Sequence, residues 1–527
     1  MKIVVSDSVS SSALEVLRAE PSLELVYLAG KADGLNHEIQ DADALVVRSA
    51  TKVNSALIER AAKLRAIGRA GVGVDNVDLD AATRKGIVVM NTPGGNAESV
   101  AELTFALLLG MARRIPHADA SIKEGRWEKK KLTGIELRGK TLGLIGFGRI
   151  GSEVARIARA FGMAVLAYDP YIASRLAEEQ NVRLVELEEL LKSSDFISLH
   201  ASATEENRHL INAKTLALVK PGARIVNCAR GELVDAQALF EAIESGRIAG
   251  AGLDVFEKEP PADSPLVKHP NVIATPHIAG STEEAQEIVG IRIAEQVRDF
   301  LLTGVARNAV NMPTVSVEEH KKLEPYLQLG EKLGAFLAQI AGGRLLEARI
   351  SYDGGLAELN THLVKNAVLK GVLGQTLSEP VNVINAGTLA QERGIEVTEL
   401  RSARRATFSN SLGLALRTEN DAASALGLVG IRGALRVLGI NDIDIDAPLS
   451  GHILFIRNQD VPGVIGRIGT ILGEGSVNIA SFTLGRKASE SGGEAIGLVN
   501  VDQLVPAETL ERIRSIPAVS AARVVVL

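Results

Sequence analysis

The sequence predicts an α/β fold with two doubly wound parallel-sheet lobes, followed by an α+β segment and a small ferredoxin-like unit. Three observations predict it. Short β-rich runs alternate with helical runs over residues 2–93, the alternation resumes over 96–280, and residues 452–527 read β-α-β-β-α-β. Strands alternating with amphipathic helices favour a parallel sheet covered on both faces. The β-α-β-β-α-β order is typical of a ferredoxin-like unit.

The elements follow this order along the chain. Strands are predicted in the first unit for KIVVSD, LELVYL, ALVVRS, LRAIGRAG and IVVMNTP, and helices for SSALEVLRAE, NSALIERAAK and DLDAATRKG. Strands are predicted in the second unit for TLGLIG, AVLAYDP, FISLH, ARIVNCA, GAGLDVF and VIATPHI. The segment STEEAQEIVGIRIAEQVRDFLLTG then predicts one long helix, NAVNMP marks a boundary, and residues 314–448 mix helices with β segments.

Length and composition exclude several classes of protein. At 527 residues the chain is too long for one core, and about 150 residues per domain predicts three or four domains. The most apolar stretch, SVAELTFALLLGMARR, is shorter than the ~20 apolar residues that span a bilayer, so we expect no membrane partner. A net charge of −6 argues against nucleic-acid binding. A single cysteine, Cys228, and a start without an export signal favour the cytoplasm.

A dinucleotide site is predicted where a strand, a glycine-rich turn and a helix follow one another. The turn carries Gly146, Gly148 and Gly151 in a G-x-G-x-x-G pattern, which brings the main chain close to a pyrophosphate. The free N–H groups of Arg149 and Ile150 at the helix start suit phosphate. A second strand then ends at Asp169, whose carboxylate can bond ribose hydroxyls and would repel a 2′-phosphate. The pattern therefore predicts NAD rather than NADP as the cofactor.

A cation, a carboxylate and an imidazole follow later strands of the same unit. Arg230 lies in NCARGELVD, Glu259 in DVFEKEP and His277 in TPHIAGST. An imidazole suits proton exchange near neutral pH, and a bonded carboxylate fixes its tautomer. A guanidinium can hold a substrate carboxylate. Asp254 ends the strand GAGLDVF and can bond the nicotinamide amide, whereas Cys228 is predicted to be small buried packing beside the cofactor. Each residue alone is also typical of a structural position.

These motifs together resemble the D-isomer-specific 2-hydroxyacid dehydrogenases. The resemblance is carried by LGLIGFGRIGSEVARIARAFGMAVLAYDP, KPGARIVNCARGELVDAQAL, GAGLDVFEKEPP and NVIATPHIAGST. Two further segments, IGRAGVGVDNVDLDAATRKGIVVMNTPGGNAESVAELTFALLLGMARR and RNQDVPGVIGRIGTILGEGSVNIASF, are similar to the long form of the family that acts on 3-phosphoglycerate. That form carries an intervening domain and an ACT regulatory domain after its catalytic core.

The resemblance implies the reaction and the site. The reaction is oxidation of 3-phospho-D-glycerate to 3-phosphohydroxypyruvate with NAD, which opens L-serine synthesis. His277 is then the general acid/base, Glu259 its partner and Arg230 the substrate cation. The implied substrate residues are Arg48, Arg69, Asn96, Arg230 and His277. The implied cofactor residues are Gly146, Gly148, Arg149, Ile150, Gly151, Asp169, Cys228, Ala229, Arg230, Asp254, His277, Ile278, Ala279 and Gly280. No metal site is expected.

The resemblance also implies the domain boundaries and the assembly. Residues 1–95 and 281–310 are expected to form a discontinuous substrate-binding lobe, residues 96–280 the NAD-binding lobe, 311–448 the intervening domain and 449–527 the ACT domain. Asp460 and Asn478 are the residues implied to bind L-serine between two chains. Trp127 and Lys129 lie where relatives reach across a dimer interface, so a homo-oligomer, a dimer of dimers, is expected.

One loop departs from the family pattern, and two alternative functions stay open. After FISLH the family usually has HxPxTxxT, whereas this chain has HASATEENRHLIN, with Ser202 in place of the proline and Asn207 in place of the last threonine. The departure bears on the cofactor contacts of this loop, including any at Ala201, and leaves the predicted chemistry unchanged. The nearer alternative is the same reaction on glyoxylate, hydroxypyruvate or D-lactate, which needs less positive charge than Arg48 and Arg69 provide. The more distant alternative is an NAD-sensing binding protein.

Overall fold

The structure is a computed structural model of the 527-residue chain, and the residues that it describes form four separate sheets. Two of the sheets are wholly parallel, one is mixed and one is antiparallel. The predicted fold class is therefore confirmed. The structure describes residues 1–31, 34–262, 264–402, 410–487 and 492–527.

The first lobe contains the N-terminal sheet. Its strands and helices are β1 (Lys2–Val5), α1 (Ser11–Arg18), β2 (Glu24–Tyr27), α2 (Leu35–Glu38), β3 (Ala44–Val47), α3 (Ser55–Arg60), β4 (Ala66–Arg69), α4 (Leu79–Arg84) and β5 (Val88–Met90). The strand order is β2-β1-β3-β4-β5, and all neighbours are parallel. Because residues 3–5 of β1, 44–47 of β3 and 66–68 of β4 are buried on both faces, these runs are continuously apolar rather than alternating.

The second lobe is a seven-stranded parallel sheet. Its elements are α5 (Ala97–Ala112), α6 (Ile115–Lys123), β6 (Thr141–Ile145), α7 (Arg149–Ala160), β7 (Ala164–Tyr168), α8 (Ser174–Glu178), β8 (Arg183–Leu184), α9 (Leu187–Ser193), β9 (Phe196–Leu199), α10 (Ala213–Leu218), β10 (Ala223–Asn227), α11 (Ala236–Glu244), β11 (Ile248–Leu253), α12 (Pro265–Lys268) and β12 (Val272–Ala274). The strand order is β12-β11-β10-β9-β6-β7-β8. The order reverses between β6 and β9, and ligands bind at such a switch point outside the carboxyl ends of the strands.

A long helix, α13 (Glu283–Thr303), returns the chain to the first lobe. Thr282 caps its start by accepting a hydrogen bond from the Ala285 N–H, and Gly304 ends it with a φ of 74°. Its apolar face, with Ile293 and Val297, packs into the core of the first lobe. The helix thus begins at the end of the second lobe and contributes to the core of the first.

The intervening domain is a mixed six-stranded sheet with helices on one side. Its elements are α14 (Val317–Ala341), β13 (Leu345–Gly354), α15 (His362–Leu373), α16 (Ala386–Glu392), β14 (Glu396–Ser402), β15 (Asn410–Thr418), β16 (Ala422–Val429), β17 (Leu435–Ile440) and β18 (Ile443–Pro448). The strand order is β14-β13-β15-β16-β17-β18, in which the β13–β14 pair is parallel and the other pairs are antiparallel.

The C-terminal domain has the predicted β-α-β-β-α-β order. Its elements are β19 (His452–Gln459), α17 (Val464–Glu474), β20 (Ile479–Arg486), β21 (Glu494–Val501), α18 (Ala507–Arg514) and β22 (Val519–Val526), and the antiparallel sheet has the order β20-β21-β19-β22. One face of β19 packs on the two helices through Leu454 and Ile456. The other face, with Ile453 and Phe455, joins the core of the intervening domain.

No helix within the described ranges is long and apolar enough to cross a membrane.

Candidate active site

Three neighbouring strands of the second lobe deliver the catalytic candidates to one edge of the sheet. Arg230 follows β10, Glu259 follows β11 and His277 follows β12. These strands are adjacent and parallel, so their carboxyl ends meet at the same edge. Residues far apart in the sequence are thus brought to one place.

His277 and Glu259 form the imidazole–carboxylate pair that the sequence predicted. His277 Nδ1 lies 2.8 Å from Glu259 Oε2. Glu259 Oε1 also accepts a hydrogen bond of 3.1 Å from the Phe256 N–H, which orients the carboxylate. Among the described residues, none bonds His277 Nε2. The bond at Nδ1 fixes the imidazole tautomer, and Nε2 is the nitrogen that remains to exchange a proton.

Asp254 fixes the turn that carries His277. Its side chain has no exposed surface. Its Oδ1 accepts hydrogen bonds from Thr275 Oγ1 at 2.6 Å and from the Ile278 N–H at 2.8 Å, and its Oδ2 accepts one from the Ala279 N–H at 2.9 Å. His277 itself has a φ of 54°, a left-handed conformation that costs about 1 kcal/mol or more for a residue with a side chain. The contacts give Asp254 a positioning role, and its contact with a nicotinamide amide stays a prediction.

Arg230 reaches from the second lobe to the first. Its Nη2 lies 3.1 Å from Asp75 Oδ2 in the segment after β4, and its Nη1 donates to the Ala229 carbonyl at 2.7 Å. Asn227 shapes the loop by donating to the Arg230 carbonyl at 2.8 Å and accepting from the Ala229 N–H at 3.0 Å. The guanidinium therefore lies between the two lobes, and its contact with a substrate carboxylate stays a prediction.

The guanidiniums of Arg230 and Arg48 both lie close enough to Arg69 to act on its charge. Burial lowers the pKa of Arg69; Asp75 opposes this effect, and the positive charges of Arg230 and Arg48 add to it. Arg69 Nε is buried without a hydrogen-bond partner among the described residues. Arg48 Nη1 donates to the Ser8 carbonyl at 3.1 Å. A site with three converging guanidiniums and an unsatisfied donor is suited to an anion of more than one charge.

Asn96 lies at the junction of the lobes, at the start of α5. Its Oδ1 is buried and has no hydrogen-bond partner in the described part of the chain. Its amide packs against the turn after His277, since a Cβ atom on Gly280 would lie 2.7 Å from Asn96 Nδ2. In the same turn Ile278 is exposed and Ala279 is buried. The unsatisfied oxygen fits a donor from a bound substrate or cofactor.

The glycine turn fits a dinucleotide. Gly146 has a φ of 94°, and a Cβ atom on it would meet the main chain of His200 and Ala201. A Cβ atom on Gly151 would lie 2.3 Å from the Gly146 carbonyl oxygen, so this position requires the close helix–strand approach. Space is open at Gly148, the N-cap of α7. The open space is large enough for the main chain to approach a phosphate, and the contact of a pyrophosphate with the N–H groups of Arg149 and Ile150 stays a prediction.

Asp169 and Arg149 have contacts that the sequence did not predict. Asp169 Oδ2 accepts a 2.9 Å hydrogen bond from the Phe147 N–H, and Oδ1 accepts one of 2.9 Å from the Tyr171 N–H. The carboxylate therefore also holds the glycine turn against the end of β7. The Arg149 side chain donates to the Pro93 carbonyl, so it bridges the second lobe to the junction with the first.

Cys228 is buried beside the site and is unsuited to be a nucleophile. It is 7% exposed, and burial raises the pKa of its thiol to about 12. Cys228 and Ala229 lie in the loop after β10, whose shape is set by Asn227. Both residues place small side chains in this loop, and their contact with the cofactor stays a prediction.

The loop that departs from the family pattern, HASATEENRHLIN at residues 200–212, supports the loop that carries Glu259. Arg208 and His209 both contact Glu257, with 3.1 Å between His209 Nε2 and Glu257 Oε1. Sequence reasoning missed these residues and Asp75. A signal was present for the loop, because an Arg–His pair stands beside the departure from the family pattern at Ser202 and Asn207. The sequence signal for Asp75 was weaker than the signal for Arg208 and His209: Asp75 only follows the glycines of AGVGVDN.

In the C-terminal domain, the two predicted serine-binding residues have partners within the chain. Asp460 Oδ2 lies 3.1 Å from Arg486 Nε, and Asn478 Nδ2 donates to Asp502 Oδ2 at 2.5 Å. The Arg486 guanidinium thus lies beside Asp460, where an ammonium group was predicted, but Asp460 Oδ2 is buried and accepts no hydrogen bond from the described residues. The serine site stays a prediction.

Comparison with known proteins identifies the family. A sequence model described as "D-isomer specific 2-hydroxyacid dehydrogenase, NAD binding domain" matches residues 105–279. Models of the D-3-phosphoglycerate dehydrogenase intervening domain and of the ACT domain match residues 322–441 and 452–518. A D-3-phosphoglycerate dehydrogenase of Methanocaldococcus jannaschii is 44% identical over 526 residues, covering 100% of this chain and 99% of that protein. The chain belongs to the D-3-phosphoglycerate dehydrogenase family.

Other relatives of the D-3-phosphoglycerate dehydrogenase family agree. The protein of that name from Bacillus subtilis is 40% identical and covers 99% of both chains. Among solved structures, the TT0316 protein of Thermus thermophilus has a TM-score of 0.54 at 37% identity, covering 59% of this chain and 100% of its own. A D-lactate dehydrogenase of Aquifex aeolicus, complexed with NAD and lactic acid, has a TM-score of 0.52 at 34% identity, covering 60% of this chain and 100% of its own. The resemblance stated from the motifs is confirmed, as is NAD as the cofactor of the second lobe.

Within the described residues, no group of three or more His, Cys, Asp and Glu side chains is placed to hold a metal ion.

Proposed function

We propose that this protein oxidises 3-phospho-D-glycerate to 3-phosphohydroxypyruvate with NAD, the reaction that opens L-serine synthesis. The observation that carries the proposal is the placement of the His277–Glu259 pair and Arg230 at one edge of the NAD-binding lobe, opposite Arg69 and Arg48 of the first lobe. The full-length similarity to D-3-phosphoglycerate dehydrogenases supports it.

The residues divide the reaction between them. Arg230 binds the substrate carboxylate, and Arg69 with Arg48 binds the phosphate. His277 accepts the proton of the C2 hydroxyl at Nε2, while Glu259 stabilises the imidazolium that forms. NAD, when bound, accepts the hydride from C2. Asn96 bonds a substrate oxygen from the junction of the lobes.

The cofactor lies along the carboxyl edge of the second lobe. The Arg149 and Ile150 N–H groups bind the pyrophosphate, with Gly146, Gly148 and Gly151 shaping the turn. Asp169 binds the ribose hydroxyls and excludes a 2′-phosphate. Cys228, Ala229 and the turn of Ile278, Ala279 and Gly280 line the nicotinamide side, with Asp254 beneath that turn.

We further propose the domain boundaries that the resemblance implied: a substrate lobe of residues 1–95 and 281–310, an NAD lobe of 96–280, an intervening domain of 311–448 and an ACT domain of 449–527. The packing of α13 in the core of the first lobe supports the discontinuous substrate lobe. Closure of the two lobes excludes water from the hydride transfer.

A steady-state assay of NADH formation tests the function. We expect 3-phosphoglycerate to be oxidised with a far higher kcat/KM than D-lactate or D-glycerate, because Arg69 and Arg48 match a phosphate.

Arg69→Ala should raise KM for 3-phosphoglycerate much more than KM for D-glycerate. His277→Ala should lower kcat at least ~100-fold, the scale of general acid–base catalysis. Preference for D-lactate would instead support the alternative D-2-hydroxyacid dehydrogenase, and absence of any turnover would support an NAD-sensing protein.

We propose L-serine as an effector at the C-terminal domain, with Asp460 and Asn478 as its ligands. The match to an ACT domain supports an amino-acid effector. Serine binding there requires its ammonium group to replace Arg486 at Asp460. Inhibition kinetics with L-serine, repeated with Asp460→Asn, test this role; wild-type activity at high serine contradicts it.

We also propose a cytoplasmic homo-oligomer, a dimer of dimers. Exposed apolar side chains on and after α6 support an interface there, since Ile115 is 55%, Ile122 56% and Trp127 81% exposed. Lys129 lies beside them in the short turn Lys129–Leu132. Light scattering of the protein and of Trp127→Ala in solution measures the assembly, and a monomeric wild type contradicts it.

A further inference from the structure

The intervening domain contains a cavity of about 430 Å³ that none of the catalytic residues line. It lies where α14, α15 and α16 end and β13 begins. Its volume falls within the range of small-molecule pockets, which begins at about 300 Å³. We name it the intervening cavity. Its floor is formed by Ala338, Leu345, Val372, Leu373, Ile395 and Leu416.

The charged residues at the rim of the cavity favour a negatively charged ligand. Three charged residues lie there, and two of them have close partners: Glu392 lies 3.0 Å from Arg84 Nε, and Arg393 contacts Glu379. The third, Arg344, is 72% exposed, and its carboxylate partner Glu419 lies 3.8 Å away. An exposed pair at that distance contributes little, so the Arg344 guanidinium is available to a carboxylate. An aliphatic chain attached to that carboxylate would bury itself against the apolar floor.

The cavity touches an element that is docked on the first lobe. Glu392, on its rim, ends α16 and pairs with Arg84 at the end of α4. Asn385 donates to the Arg84 carbonyl at 3.1 Å, and Asn382 donates to the Gly86 carbonyl at 2.8 Å. Ile384 packs into the core of the first lobe. A ligand that shifts the end of α16 would therefore act on the lobe that carries Arg69 and Arg48.

The opposite side of the cavity is tied to the C-terminal domain. Gln339, two residues before the end of α14, exchanges two hydrogen bonds of 3.1 Å with the main chain of Val526. Arg523 Nη1 donates to the Gln339 carbonyl at 3.3 Å, and it lies against Gly342 on the rim. The cavity thus stands between the contact to the first lobe and the contact to the C-terminal domain.

We propose that the intervening cavity binds a small aliphatic monocarboxylate, with its carboxylate on Arg344 and its chain on the apolar floor. Binding is coupled to substrate affinity through the Glu392–Arg84 pair. This coupling rests on the proposed dehydrogenase function, whereas binding to the cavity does not. Inorganic phosphate lacks a chain for the floor, and an aliphatic amine carries the wrong charge for Arg344.

Calorimetric titration of the full chain with 4-methylpentanoate tests the binding. The Arg230→Met variant is titrated as well, because a carboxylate can also bind in the catalytic cleft. We expect binding that persists in Arg230→Met, weakens at least tenfold in Arg344→Met and is unchanged in Arg349→Met, a matched control on β13 outside the lining. Isoamylamine and inorganic phosphate should not compete. Binding that disappears in Arg230→Met but survives in Arg344→Met would assign it to the catalytic cleft and overturn the proposal.

A second variant guards against misfolding of Arg344→Met. Thr376 is an exposed residue on the rim, so Thr376→Trp should fold and fill the mouth of the cavity. We expect it to abolish 4-methylpentanoate binding and the rise in Tm that binding produces. If Thr376→Trp binds 4-methylpentanoate as tightly as the wild type does, the proposed site is wrong.

Kinetics tests the coupling separately. We expect saturating 4-methylpentanoate to change KM for 3-phosphoglycerate at least threefold beyond simple competition, and Arg84→Met to remove that effect while calorimetric binding persists. An effect of the same size in Arg84→Met refutes the route through Glu392. Lack of any turnover would refute the proposed function while the binding result stands.

Discussion

The guanidinium of Arg230 lies 3.1 Å from the carboxylate of Asp75, although the two residues belong to different lobes. Arg230 follows β10 of the second lobe, and Asp75 follows β4 of the first. A substrate carboxylate that binds Arg230 must therefore compete with Asp75. The pair also links the two lobes whose closure the reaction needs.

We expect Asp75→Asn to lower KM for 3-phosphoglycerate about two- to fivefold. The Asp75 side chain is 73% exposed, and an exposed ion pair contributes at most about 1 kcal/mol, which corresponds to about fivefold in affinity. Steady-state kinetics measures the change, with Asp80→Asn on α4 as the matched acidic control. A raised KM would mean that Asp75 orients Arg230 for the substrate rather than competing for it.

The sequence was sufficient to predict that Arg230, Glu259 and His277 lie at one edge of a sheet, because the three residues follow adjacent parallel strands; their catalytic roles stay a prediction. Strand pattern and strand end are local features, and parallel neighbours bring Arg230, Glu259 and His277 to one edge. The G-x-G-x-x-G turn is equally local, so Gly146, Gly148 and Gly151 were found from their spacing.

The contacts that the sequence did not predict depend on loop paths or on the approach of two domains. Asp75 meets Arg230 only because the lobes face each other, and no periodicity in AGVGVDN encodes that contact. The three hydrogen bonds of Asp254 depend on how the main chain folds back after Pro276. The ion pair of Asp460 with Arg486 joins the ends of two strands, and neither the sequence pattern nor the spacing of the two residues predicts it.

We expect Glu257→Gln to lower kcat roughly three- to tenfold with little change in KM. The Glu257 carboxylate contacts the side chains of Arg208 and His209, and Glu257 lies two residues before Glu259. Loss of the negative charge at Glu257 should therefore loosen the loop that orients Glu259, the partner of His277. Small displacements of catalytic groups reduce rates strongly. The control is Lys258→Gln, the exposed next residue, for which the described residues show no ion pair. Equal kcat in Glu257→Gln and wild type would show that the contacts of Arg208 and His209 with Glu257 have no effect on catalysis.

The thiol of Cys228 should resist alkylation in the folded protein. Burial raises its pKa to about 12, whereas a free cysteine has a pKa of about 8.5, so at pH 8 the thiolate population falls roughly a thousandfold. We expect iodoacetamide to label the native protein at least that much more slowly than the same protein in urea. Mass spectrometry reports one site, since the chain has a single cysteine. Rapid labelling of the native protein would show that the loop after β10 opens.

Asp254→Asn should reduce both stability and activity. The Asp254 carboxylate accepts three hydrogen bonds in a site without solvent exposure. In Asp254→Asn, the NH₂ of the new amide would face a group that now donates a hydrogen bond to the carboxylate, so that bond would be lost. Leaving a buried donor unsatisfied costs about 1–3 kcal/mol, which denaturant unfolding measures. Because the lost bond belongs to the turn that holds His277 at a φ of 54°, kcat should fall at least tenfold as the imidazole loses its position. Asp235→Ala, at the N-cap of α11, is the control: it should lower stability by about 0.5–2 kcal/mol while sparing kcat, because the bonds of Asp235 to Gln237 and Ala238 do not reach the turn. If the two variants lose kcat equally, general destabilisation explains the result, and the positioning role of Asp254 is refuted.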